Sequence, residues 1–195
     1  MSKFFSYTNV KEVFSKIGAA LPGKQTTLAP QPIVFAAVAK EDLEAGAAVK
    51  VTKSNGVFFV EECDDADDFA GIVLADVHAQ MVKTGNGVQQ IYAFPAGSTV
   101  SVLRNGYVWV PVQDATPTIA HDGTVYIREA ANATNTALPV GGLESALVSD
   151  ETAALSGIAF TGNVGFPLQG TQNGTTVAGG LTGRTAEVKV ELGLI

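Results

Sequence analysis

The feature that most constrains this chain is the spacing of its apolar residues. They come in short runs, the longest being Ile33 to Ala39, and turn-forming residues close most of them. Nine β-prone runs can be marked: Ile33 to Val38, Ala48 to Thr52, Val57 to Glu61, Ala70 to Leu74, Gln89 to Phe94, Ser98 to Leu103, Tyr107 to Val112, Thr124 to Arg128 and Gly157 to Thr161. Short strands at such spacings predict a sandwich or barrel. A chain of 195 residues with 46% hydrophobic and only 16% charged residues, and 21 glycines, suits an all-β domain rich in turns.

The sharpest local signal is Ser98-Thr-Val-Ser-Val-Leu-Arg-Asn-Gly-Tyr-Val-Trp-Val-Pro-Val112. Asn105-Gly106 offers the two positive φ angles of a type I′ turn, so a tight hairpin is expected there. Pro111, lacking an amide hydrogen, places the far end of the second strand at a sheet edge or bulge. An earlier stretch, residues 44–60, repeats the pattern Ala-Gly, Val-x-Val, Asn-Gly and an aromatic-rich strand. That repeat predicts two similar hairpins with Phe58, Phe59 and Trp109 in a shared core. His121 to Ile127 is a looser third copy, and chance similarity between hairpins is the competing explanation.

The N-terminus reads differently. Val10, Val13, Phe14 and Ile17 fall at i, i+3, i+4 and i+7, with Asn9 as N-cap, Glu12 at N3 and Gly18 at C′, which predicts a two-turn amphipathic helix over residues 9–17. So short a helix is marginal in water and needs a surface for its stripe. Residues 18–32, with three prolines and two glycines, read as an extended linker. Residues 1–24 carry Lys3, Lys11, Lys16 and Lys24 against Glu12, which leaves about −10 on the remainder of a chain whose net charge is −7. The division expected is an arm (1–32), a β body (33–162), and a glycine-rich loop with a final strand (163–195) in which Val188, Val190 and Leu192 face inward. The fold class is therefore mainly β: a compact antiparallel β-barrel or sandwich with an N-terminal arm carrying a short helix.

Catalytic chemistry is hard to find. His78 and His121 are the only histidines, and no serine lies in a nucleophile-elbow context. Cys63 is the one cysteine, so no intrachain disulfide and no cysteine-rich metal site can form. No catalytic residue, cofactor or metal is expected. The acidic run Glu61, Glu62, Asp64, Asp65, Asp67 and Asp68 has three readings, in decreasing order: a solvated loop, a contact for a basic partner, and a cation site. The phosphate-loop likeness of residues 179–185 fails on its spacing and on Arg184. An acidic body disfavours nucleic acid. No run approaches the roughly 20 apolar residues of a membrane span, and no secretory h-region follows Lys3, which points to synthesis and assembly in a cytoplasm.

Phe94 to Val110, with Phe69-Ala-Gly-Ile-Val73 before it and Gly123-Thr-Val-Tyr-Ile127 and Leu155-Ser-Gly-Ile-Ala-Phe160 after it, resembles the structural cement or decoration proteins of tailed double-stranded DNA phages. The resemblance implies a β-rich viral structural protein on the outer surface of the capsid, with the major capsid protein as partner and a homo-oligomer, a trimer favoured, as its form. The arm and the glycine-rich tail depart from that pattern. Val10, Val13, Phe14, Ile17, Lys11 and Lys16 are the candidates for contact with the capsid or a neighbouring copy. The alternative is a head-fibre or tail-adhesin module binding a receptor or glycan through Tyr92, Tyr107, Trp109 and Tyr126. A hydrolase using paired carboxylates is a third reading.

Overall fold

The computed structural model describes residues 22–26, 32–75, 80–83, 90–113, 117–131, 138–167, 171–172, 175–176 and 184–193. The helix expected over residues 9–17 and most of the glycine-rich stretch lie outside them. The first half of the chain forms β1 (Ile33–Ala39), β2 (Leu43–Glu44), β3 (Ala48–Ser54), β4 (Val57–Glu62), β5 (Phe69–Val73), β6 (Gln80–Lys83), β7 (Gln90–Phe94) and β8 (Thr99–Val112). The second half forms β9 (His121–Arg128), β10 (Leu143–Glu144), β11 (Thr152–Pro167), β12 (Thr171–Gln172), β13 (Thr175–Thr176) and β14 (Arg184–Glu191). A single 3-10 turn, Ala66–Asp68, is the one helical element among the described residues.

Nine strands join in the order β1-β4-β3-β5-β8-β10-β9-β11-β14, and further pairings of β1 and β14 with β8 close this sheet twice. The result is two five-stranded rings that share β8. The pairings are antiparallel except β1 with β4 and β8 with β10. Closure removes the exposed strand edges that would otherwise invite further pairing. A small separate sheet, β2-β7-β6, lies outside both rings.

The division of side chains follows from strand alternation. Val100 and Val102 of β8 enter the first core with Ala37, Val49, Val60, Val73 and Phe94. Further along the same strand, Val108, Val110 and Val112 enter the second core with Val125, Ile127, Phe160, Val188 and Val190. Where the rings meet, strands are buried on both faces: Val73 and Val102 face the first core, while their neighbours Ile72 and Leu103 face the second. This is why Phe69-Ala-Gly-Ile-Val73 reads as a continuous apolar run without alternation.

The expected hairpin at Asn105-Gly106 does not form: β8 runs through it unbroken for 14 residues. A type I′ turn needs both central residues at positive φ. Asn55 (49°) and Gly56 (80°) meet that condition and turn β3 into β4, whereas at the second site only Gly106 (135°) has a positive φ. The reason is tertiary: β1 pairs with residues 99–105 and β14 with residues 105–112, so an extended β8 has ladder partners along its length. The expectation of a shared aromatic core fails with the hairpin. Phe58 packs on the first core and stands edge-to-face with Phe35 at 5.6 Å, whereas Trp109 is half-buried opposite Glu187.

The last strand behaves as its alternation predicts: Val188 and Val190 are fully buried, Leu192 packs on the second core, and β14 closes the sheet. Residues 22–26 begin with a turn at Pro22-Gly23 and then lie along β8, with Gln25 bridged to Val108. The Gly23 amide donates to the Trp109 carbonyl (2.7 Å), and the Thr26 amide to that of Tyr107 (2.9 Å).

Replacing Gly106 with alanine puts a side chain at φ 135° in the shared strand. The unfolding free energy of Gly106→Ala from chemical denaturation should fall by about 1–3 kcal/mol, whereas Asn55→Gly, at a turn already left-handed, should move it by less than about 0.5 kcal/mol.

Candidate functional site

Three groups of polar side chains stand out. The first is the acidic run that begins at the end of β4, which the fold neutralises in part from within. Lys40 pairs with Glu61 at 3.1 Å and Lys50 with Asp64 at 2.7 Å. The Lys50 ammonium holds the Asp64 carboxyl below its ordinary value. Asp65 caps the 3-10 turn by accepting from the Asp67 amide at 2.9 Å. No group of three or more metal-ligating side chains is placed to hold an ion among the described residues.

The second group is buried in the second barrel. Arg128, at the end of β9, is fully buried; its Nε donates to Glu144 at 2.5 Å and its Nη1 to Glu151 at 2.6 Å. Burial alone would lower the guanidinium pKa, but the bonds to both carboxylates outweigh it and raise it. The pair ties β9 to β10 and to the turn before β11. A second buried carboxylate, Glu187 of β14, accepts from Thr161 (2.8 Å), from Asn163 (2.6 Å) and from the hydroxyl of Thr26. Residue 26 is thereby held to the second barrel.

The third group lines a cavity of about 500 Å³ bordered by Asp42, Glu44, Glu62, Pro111, Gln113 and the Gly141-Gly142 pair. It lies beside the junction of the rings, since Gln113 follows β8 and Glu62 ends β4. Partial desolvation raises the pKa of Glu44 and of Glu62, and at Glu62 repulsion from Glu41, Glu44 and Asp64 adds to it. A Cβ at position 141 would fall 2.7 Å from Glu62 Oε1, and one at 142 would fall 2.2 Å from Gln113 Oε1. Only glycines leave room for these two side chains.

The sequence-predicted contact residues Val10, Lys11, Val13, Phe14, Lys16 and Ile17 lie outside the described residues, as does His78. His121 is exposed at the start of β9 beside Asp122. Tyr107 and Trp109 share one face of β8, opposite Lys189 and Glu187, while Tyr126 lies on β9; all three are half-buried. The side chain of Tyr92 is outside the described residues. Cys63 is buried, donates to the Asp65 carbonyl at 3.0 Å, and has its thiol pushed up to about 11 by burial. No helix among the described residues is long and apolar enough to cross a membrane.

Sequence reasoning missed Arg128, Glu144 and Glu151, and it missed the cavity. The available signals were weak: an arginine and two glutamates in separate runs, and the double glycine after Pro139-Val140.

These features belong to a closed β scaffold whose polar interior serves packing. The family described as structural cement protein (E217 gp24/Pam3 gp6) matches residues 11–190. The chain therefore belongs to the phage structural cement family, and its role is structural, in the capsid. Among solved structures it is similar to a chain from the capsid of Myoviridae phage XM1, with 17% identity, 87% of this chain and 89% of that chain covered, and a TM-score of 0.49. It is also similar to the head fibre gp8.5 N base of bacteriophage phi29, with 9% identity, 84% and 100% covered, and a TM-score of 0.36. No curated protein matches it by sequence.

Two outcomes test the interior. Arg128→Met leaves Glu144 and Glu151 without their cation and should cost about 3–5 kcal/mol in chemical denaturation; a loss under about 1 kcal/mol would show the pair to be dispensable. Cys63 is buried and its thiol is pushed up to about 11, so an aromatic disulfide reagent at pH 8 should label it only after denaturant is added.

Proposed function

We propose that this protein decorates and cements the outer face of the capsid, acting without catalysis by clamping neighbouring capsid subunits. The observation that carries the reading is the family match, which runs from Lys11 in the arm to Val190 in the closing strand. A rigid body suits the task. Two closed rings with a common strand present a fixed surface, and little ordering cost is left for the moment of binding. Affinity for the assembled lattice over the free subunit makes such a protein a cement, because it stabilises only the state it binds. At a free concentration 100 times its Kd, that linkage is worth about 2.7 kcal/mol per site.

In this reading the arm supplies the contact. Val10, Val13, Phe14 and Ile17 form the stripe that rests on the major capsid protein or on a neighbouring copy, flanked by Lys11 and Lys16. A homotrimer at positions of threefold symmetry is the assembly that fits best. Synthesis takes place in the host cytoplasm, before the protein joins the virion.

Purified protein mixed with undecorated heads should occupy lattice symmetry positions in electron micrographs and raise the temperature at which the heads disrupt. Removing residues 1–21 should abolish occupancy while the circular dichroism of the body is retained. The cut stops at 21 because residues 22–26 pack on β8. Full occupancy by the truncated body would overturn the role given to the arm, and binding to glycans but not to heads would overturn the cement reading.

A further inference from the structure

Asn-Gly pairs occur in the sequence at Asn55, Asn86, Asn105 and Asn173; the second and fourth lie outside the described residues. The other two share a local signal and are held in opposite ways. Asn55-Gly56 is the whole loop between β3 and β4, since Ser54 and Val57 on either side are already paired. Both residues are exposed, and a Cβ on Gly56 would meet nothing within 4 Å. The loop stands outside the ladder, and no acceptor among the described residues takes the Gly56 amide hydrogen. Asn105-Gly106 is the reverse case. Asn105 is half-buried between Ile33 of β1 and Glu191 of β14, and Gly106 is buried opposite Val190. The Leu192 amide donates to the Arg104 carbonyl at 2.8 Å. Bonded pairs recur at every second residue of an antiparallel ladder, so Gly106 and Val190 form the next such pair and the Gly106 amide is engaged.

The difference matters because asparagine is chemically labile, and a following glycine leaves the next amide nitrogen unhindered. That nitrogen gives up its proton to hydroxide and attacks the asparagine Cγ. An N–Cγ bond forms, the Cγ–Nδ2 bond breaks, and ammonia leaves with a proton taken from water. Water then opens the resulting succinimide at either carbonyl, giving aspartate or isoaspartate. Water is consumed and ammonia released, with no oxidant or reductant. The attack requires the peptide unit after the asparagine to rotate towards its side chain. At the hairpin tip the Ser54–Val57 pair is the nearest restraint on that rotation, whereas at Asn105 the ladders to β1 and β14 would both have to break. Local opening costs little at a fraying tip and approaches the global stability in a core strand.

We propose that Asn55 is a site of spontaneous deamidation in the folded protein, and that the same fold protects Asn105. The inference concerns the isolated chain and does not depend on the capsid reading. Its consequence is a new carboxylate at the β3–β4 tip, two residues from Lys53. The isoaspartyl product also adds a carbon to the main chain of a loop whose two residues both hold positive φ, which loosens the hairpin there.

Ageing the full-length protein at pH 8, followed by tryptic digestion and peptide mass mapping against an unaged sample, tests it. Peptides 54–83 and 105–128 each contain a single asparagine. The native protein should exchange NH2 for OH in peptide 54–83 about tenfold faster than in 105–128, the ratio given by a difference of about 1.4 kcal/mol in opening. The product should separate into aspartyl and isoaspartyl forms. In guanidinium chloride the two rates should converge, because the sequence alone then governs both sites. Equal native rates, faster loss in 105–128, or no change in 54–83 would overturn the proposal. So would an undiminished ratio in denaturant, which would trace the difference to sequence neighbours and not to the fold. Asn55→Gly should abolish the mass change in peptide 54–83; a change that persisted would come from Gln80 and would equally overturn it.

Discussion

The architecture depends on the continuity of β8. Each ring closes only because the same strand offers one half of its length to β1 and β5 and the other half to β14 and β10. Its alternate valines then serve two cores in succession, with Val100 and Val102 in one and Val108, Val110 and Val112 in the other. A reversal at Asn105-Gly106 would fold those valines back on themselves and leave both rings open. The two barrels are thus coupled by a covalent element as well as by packing, with Ala48 and Ile72 of the first ring buried in the second core, which gives the body the stiffness that a clamp needs.

Charge is handled in two ways inside this scaffold. Buried ionic groups are answered locally: Arg128 by Glu144 and Glu151, and Glu187 by donors from Thr26, Thr161 and Asn163. These contacts lock the connections around β9, β10 and β11 and hold residue 26 to the second barrel. At the junction cavity the pattern is different. Glu44 and Glu62 are raised in pKa by desolvation, and repulsion adds to it at Glu62, with no cation beside them among the described residues. The acidic run that dominates the sequence is, by contrast, partly tied down by Lys40 and Lys50.

Membership of the phage structural cement family agrees with a molecule whose interior polar groups are explained by folding. The dispersed aromatics point the same way. Tyr107 and Trp109 on β8 and Tyr126 on β9 are half-buried, as side chains on the outside of a barrel are, packed along their stems and wet at their tips.

The sequence by itself determined what local physics decides: the strand content, the turn at Asn55-Gly56, the inward valines of the last strand, and the absence of a recognisable nucleophile or cysteine cluster. Strand alternation and positive-φ turns are short-range properties, so they can be read a few residues at a time. Only the tertiary structure decided that Asn105-Gly106, with the same local signal as Asn55-Gly56, stays extended, because partners more than 50 residues away in sequence complete its ladders. The double closure, the buried Arg128 pair and the acidic cavity were illegible for the same reason. Each is made of residues from separate strands, and the free energy of bringing them together belongs to the packed fold, not to any segment of the chain.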